Sequence, residues 1–158
     1  SVAQYRLGTL FERGQGGAAN PGTAARWYQA AANQGNRLAM YNLAVAMANR
    51  SLGQPNMPEA ARWFARAAAL GVGDAQFNLA VLYERGDGVP QSLVDAYKWY
   101  SIAGAAGDNA ARDRSTILGG QLSETDRTAA QRSAAAFRAQ PLARAANVPP
   151  EPADLAGQ

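Results

Sequence analysis

Residues 74–107 read DAQFNLAVLYERGDGVPQSLVDAYKWYSIAGAAG, and the reading of this stretch decides the fold. Ala75, Leu79, Leu82 and Tyr83 fall at i, i+4, i+7 and i+8, one apolar stripe of a helix. Gly86-Asp87-Gly88-Val89-Pro90 interrupts it, because glycine accepts left-handed backbone angles and proline cannot continue a helix. Ala96, Trp99, Tyr100 and Ala103 then form a second stripe, and Gly107 stands where a left-handed C-terminal cap is expected. The stretch is a pair of helices, A and B, and neither can bury its stripe alone.

Working outward, the pair recurs. Trp27, Trp63 and Trp99 are 36 residues apart, as are Gly35, Gly71 and Gly107. Ala3, Ala39, Ala75 and Ala111 keep the same period, as do Leu7, Leu43 and Leu79, and an aromatic follows each tryptophan (Tyr28, Phe64, Tyr100). A fixed period of this length predicts stacked helix pairs, each burying the face of its neighbour. The tryptophans and the small residues Ala31, Ala67 and Ala103 are expected in the core between layers. The units run over about 2–35, 38–71 and 74–107. The first repeats the break as Gly14-Gln15-Gly16; the second has Arg50 and Leu52 there and turns through Gly53, Pro55, Asn56 and Pro58.

Residues 108–140 make a degraded unit that closes the array. Its A helix, Asn109 to about Leu118, has Asp113 and Ser115 in place of an aromatic and a leucine and ends at Gly119-Gly120. Ser123, with Asp126 three residues on, then opens a helix to about Arg138. The repeat domain therefore spans 1–140. The proline-containing 141–158 shows no periodicity and is expected to be an extended or disordered tail.

Composition excludes several classes. The 158 residues contain no cysteine and no histidine, which removes disulfides, thiolate chemistry, the usual zinc sites and histidine acid–base catalysis. The net charge of +3 comes from arginines scattered among acids, with Lys98 the single lysine, so no nucleic-acid stripe forms. No run of 18 apolar residues is present. The chain begins SVAQY, inside the repeat pattern and without methionine, and is expected to be part of a longer protein.

The run Ala75-Gln76-Phe77-Asn78-Leu79-Ala80-Val81-Leu82-Tyr83-Glu84-Arg85-Gly86-Asp87-Gly88-Val89, with Asp95-Ala96-Tyr97-Lys98-Trp99-Tyr100 and Ala105-Ala106-Gly107-Asp108, resembles a Sel1-like repeat. The resemblance covers residues 1 to about 118. It implies an all-α, right-handed α-solenoid similar to tetratricopeptide repeats, with a C-terminal capping helix, serving as a non-catalytic protein-binding scaffold without cofactor or metal. A narrower resemblance rests on the Lys98-Trp99-Tyr100-Ser101-Ile102-Ala103 step, the Ser123-Glu124-Thr125 capping helix and the Pro141-Leu142-Ala143-Arg144-Ala145-Ala146-Asn147 segment. Together these resemble the C-terminal region of PodJ-type polar localisation factors. This implies a periplasmic, soluble part of an inner-membrane protein at the cell pole, recruiting a protein partner to assemble polar structures. Direct peptidoglycan binding and a generic cytoplasmic adaptor are the alternatives.

Helix A carries a second face. The residue two beyond the repeat alanine lies roughly 200° around the helix, which places Tyr5, Tyr41 and Phe77 in a ladder that Val45 and Val81 continue. Glu12 and Glu84 stand near its end. In a superhelix of the implied kind the A helices line the concave side, so these positions are candidates to bind an extended peptide or a glycan. The competing reading has each ring packed on the next A helix. Asn42 and Asn78, with Arg6 as counterpart, lie one residue further and offer donor and acceptor to a ligand backbone or to a neighbouring repeat. No pair of carboxylates suggests the opposed geometry of a glycoside hydrolase, and the Gly-Asp-Gly and Gly-Gln-Gly segments lack the strand a phosphate loop requires.

Overall fold

The computed structural model describes residues 2–149. It is an α-solenoid in which each helix of the three repeat units packs mainly on the next in the chain. The three repeat units are α1 (Val2–Arg13) with α2 (Pro21–Asn33), α3 (Arg37–Ala48) with α4 (Met57–Ala69), and α5 (Gly73–Arg85) with α6 (Leu93–Ala105). After them come α7 (Asn109–Gly119) and α8 (Glu124–Ala136), which do not pack on each other as the repeat pairs do but both pack on α6, and a last turn, α9, covers Arg144–Asn147. No strand occurs among the described residues.

Capping repeats with the same period as the core. Each B helix begins on a side chain that accepts from the third amide onward: Asn20 from Thr23, Asn56 from Glu59, Ser92 from Asp95. The B helices of the three repeat units end in a left-handed glycine, with Gly35, Gly71 and Gly107 at φ 90°, 81° and 110°. The amide after the glycine returns to the carbonyl five residues back: Asn36 to Ala31, Val72 to Ala67, Asp108 to Ala103. This satisfies carbonyls that a helix end would otherwise leave open. Asn36 and Asp108 also serve as N-caps of α3 and α7, so the turn from B to the next A has no spare residue.

The A-to-B loops keep one backbone bond through all three units. Asn20 donates to the Phe11 carbonyl at 2.8 Å, Asn56 to Met47 at 2.8 Å and Ser92 to Tyr83 at 2.9 Å. The second loop reaches the same closure through a single 3₁₀ turn, Arg50–Leu52, and Gly53 at φ 101°.

Alanines, Leu43, Leu79, Leu82, Tyr28, Phe64 and Tyr100 are buried between layers. Of the tryptophans only Trp63 is buried; Trp27 and Trp99 sit at the edge of the core, and the Trp99 ring is met by the edge of Phe137 at 5.6 Å. In α1, Leu10 and Phe11 are exposed, whereas Leu82 and Leu118, two and three periods after Leu10, are buried.

Residues 137–149 do not leave the body of the molecule. They run back along the B-to-A turns: the Gln140 amide donates to the Ala69 carbonyl at 2.8 Å, Ala143 lies beside Gly35, and Ala146 is buried beside Asn36. The segment expected from 141 onward to be extended or disordered thus includes one helical turn, and its remainder, 150–158, lies outside the described residues.

Candidate functional site

The second face of the A helices is a stripe at i, i+3, i+4 and i+7. In α3 it holds Leu38, Tyr41, Asn42 and Val45, and in α5 Asp74, Phe77, Asn78 and Val81. In α1 it holds Val2, Tyr5, Arg6 and Thr9, and in α7 Ala110, Asp113, Arg114 and Ile117. Tyr5, Tyr41, Asn42, Val45, Phe77, Asn78, Val81 and Glu84 are all half-buried.

Each ladder ring meets the aromatic that follows the tryptophan in its own unit: Tyr5 with Tyr28 at 5.9 Å, Tyr41 with Phe64 at 5.9 Å, Phe77 with Tyr100 at 5.3 Å. Such tilted and edge-on pairs suit the ring quadrupoles. They anchor one side of each ladder ring in the core and leave the other side on the stripe.

Glu12 and Glu84 have structural partners. The Tyr28 hydroxyl donates to Glu12 Oε2 at 2.8 Å, and the Tyr100 hydroxyl to Glu84 Oε2 at 3.0 Å. In the middle unit both members are missing together, Phe64 standing for the tyrosine and Ala48 for the glutamate. A buried hydroxyl without an acceptor would be costly, and the sequence supplies the pair whole or not at all. Burial first, and then the neighbouring carboxylate, push the Tyr28 and Tyr100 hydroxyls well above the ordinary tyrosine range.

At the position shared by Arg6, Asn42, Asn78 and Arg114, the last three reach back to the preceding unit. Arg114 forms an ion pair with Glu84, its Nε donating to Oε2 at 3.0 Å and its Nη2 to Oε1. This guanidinium holds the Glu84 carboxyl below the usual carboxylate range against the opposing effect of burial. Asn42 lies against the Tyr28 hydroxyl and counters part of its upward shift. Asn78, facing a unit that lacks the tyrosine–glutamate pair, lies against the Tyr41 hydroxyl instead. Burial chiefly, and then the charge of Asp74, raise Tyr41.

One concavity of about 260 Å³ opens on the stripe, lined by Tyr41, Asp74, Phe77, Asn78, Asp108 and Ala110 from α3, α5 and the start of α7. It brings three of the sequence-predicted residues together. Tyr5 lies one unit away, and Glu84 is turned to its partners near the far end of α5. Two exposed apolar side chains of the same stripe escaped the sequence reading: Leu38, 43% exposed, and Ile117, 52% exposed. The signal for both was present, since extending the ladder by three residues towards the N-terminus of α3 and into the degraded fourth unit reaches them.

Among the described residues no three acidic side chains gather to hold a metal ion, and no helix is long and apolar enough to cross a membrane.

Comparison with known proteins agrees with this architecture. The sequence model of the Sel1 repeat matches residues 1–36, 37–72 and 73–108, within a residue or two of the periods read above. None of the curated proteins compared with the chain matches it. Among solved structures, the chain is similar to a Sel1 repeat protein from Oxalobacter formigenes, with 31% identity and a TM-score of 0.73 over 76% of this chain and 49% of that one. It shares its fold with c5321, a protective antigen of uropathogenic Escherichia coli strains, at 23% identity and a TM-score of 0.63 over 86% of this chain and 37% of that one. The chain therefore spans about half the length of the first and less of the second.

Proposed function

The chain belongs to the Sel1 repeat family, whose members generally mediate protein–protein interaction and generally are not catalysts, and on that premise we propose that it is a non-catalytic scaffold that binds an extended segment of a protein partner along the A-helix stripe. The observation that carries this is the concavity at Tyr41, Phe77 and Asn78, continued by the exposed Leu38 and Ile117. Apolar surface presented at regular spacing, with rings fixed from behind, gives a partner rigid contact area at little entropic cost.

The setting we infer is the periplasm, with the chain as part of a polarity factor of the PodJ type and its partner a component of polar structures. What supports this is the resemblance in the Lys98–Ala103 step, the capping helix and the Pro141–Asn147 segment. Direct binding of peptidoglycan fits less well. The carboxylates Asp74 and Asp108 at the concavity and Asp113 further along set no cationic surface against an anionic polymer.

Site-specific photo-cross-linking in the parent organism tests the reading. A cross-linking side chain at Leu38 and at Ile117 is expected to capture one common protein that a cross-linker at Arg62, on the outer side of α4, does not. Leu38→Asp with Ile117→Asp, both on exposed positions, is expected to abolish capture at Asn78 while the helical circular dichroism stays unchanged. Capture from Arg62 alone, or unchanged capture in the double variant, overturns the stripe as the binding face. Retention of the purified domain in pelleted cell-wall sacculi, lost in that variant, would favour the glycan instead.

A further inference from the structure

The segment that returns along the turns is held at its far end by a specific set of hydrogen bonds. Asn147 Oδ1 accepts from the Arg37 backbone amide at 2.9 Å, and Asn147 Nδ2 donates to the Gly35 carbonyl at 2.9 Å. The Asn36 side chain donates from Nδ2 to the Ala146 carbonyl while its Oδ1 accepts from the Ala39 amide at 2.9 Å. Ala146 is 4% exposed between these contacts. A side-chain amide reading both an open carbonyl and an open amide across a turn is the way proteins hold peptides.

The three B-to-A turns share one backbone conformation, yet only the first has the side chain for this. Asn36 combines a capping acceptor with a spare donor, whereas its counterpart Asp108 has acceptors only and Val72 has neither. Residues 138–145, between the anchors, are exposed throughout, and within them the Gln140 amide bonds back to the Ala69 carbonyl.

We propose that the Gly35–Asn36–Arg37 turn is a peptide-recognition site, separate from the A-helix stripe, which reads an Ala-Asn pair and is occupied in cis by Ala146 and Asn147. The cis ligand is exchangeable, and the same site accepts the corresponding segment of a second copy of the chain. Linkage through a short flexible segment gives a local concentration in the millimolar range, which is why the chain's own segment prevails in dilute solution.

Hydrogen exchange in the full chain tests this, because the Arg37 amide lies in the first turn of α3 and has no acceptor within its helix. Its protection reports Asn147, while the Ala39 amide, capped by residue 36, reports the fold. In the unaltered chain Arg37 is expected to be protected. Asn36→Asp keeps the capping oxygen and removes the donor, so Arg37 should lose at least about tenfold of its protection while Ala39 keeps its own. In the double variant Ala146→Asp, Asn147→Ala, a peptide of residues 137–149, FRAQPLARAANVP, added at about millimolar concentration, should restore Arg37 protection. The same peptide carrying Asn147→Ala should not. An unprotected Arg37 in the unaltered chain, or failure of the intact peptide to restore protection while Ala39 stays protected, overturns the proposal.

Discussion

At the residue scale, the contacts of Glu84 show how one position of the period is reused. In the third unit its carboxylate accepts from Tyr100 of α6 and from Arg114 of α7; in the second unit the tyrosine and the glutamate are replaced by Phe64 and Ala48. Tyr100→Phe is expected to lower the stability of the domain by about 1–2 kcal/mol, read from the urea midpoint. Installing the pair in the second unit, Ala48→Glu with Phe64→Tyr, should give a favourable coupling of about 1 kcal/mol in a double-mutant cycle, with Phe64→Tyr alone at or below zero gain. Acidity follows the same contact. Because Arg114 depresses the folded-state value of Glu84, the stability it contributes is present above the ordinary glutamate range near 4.3 and is lost as pH falls through the lower folded value. Arg114→Gln should flatten that acid limb of the stability curve. Burial and their carboxylate partners raise Tyr28 and Tyr100, so their contribution is present below about pH 10 and declines as pH rises beyond it. Glu84 also shows where reading the sequence stopped short. Its place near the end of the ladder made it a ligand candidate, and the sixteen-residue partnership with Tyr100, repeated by Glu12 with Tyr28 and absent together in the middle unit, was visible in the period but tied to no contact until the helices were packed.

At the scale of elements, the loops show which glycines matter. Gly16 and Gly88 hold equivalent places with φ of 99° and 73°, but a Cβ on Gly16 meets nothing, whereas one on Gly88 would stand 2.4 Å from the Met57 carbonyl carbon. Gly16→Ala should therefore cost only the left-handed strain of about 1–2 kcal/mol. Gly88→Ala should cost clearly more, because backbone cannot yield as a side chain does, and thermal unfolding of the two variants side by side measures the difference. The helix pairs, their caps and their breaks were legible in the sequence because the period set the register and because glycine, proline and the Ser/Asn/Asp caps act locally. Less legible was the second loop, whose conserved closure from Asn56 to Met47 is a backbone bond that leaves no trace in side-chain identity. The course of residues 137–147 was equally hidden. It depends on Asn36, Asn147 and small side chains that lie 110 or so residues apart and follow no period.

For the molecule as a whole, stability is a sum of units and of the interfaces between neighbours. The first A helix has one neighbour fewer on its Leu10 and Phe11 side than α3 or α5 has, so hydrogen exchange should be fastest in α1 and slowest through α3 to α6. A profile that is flat from α1 to α6 would show that the array unfolds as a single unit instead. The returning segment adds a mechanical property that the stack of helices lacks by itself. From Phe137 at Trp99 to Ala146 at Asn36 it is a chord drawn from α6 across the turns that follow α4 and α2. Ten residues cannot span more than about 35 Å even when fully extended. A bend that spreads those turns apart must therefore either straighten the chord or release one of its ends, while a bend that closes them does neither.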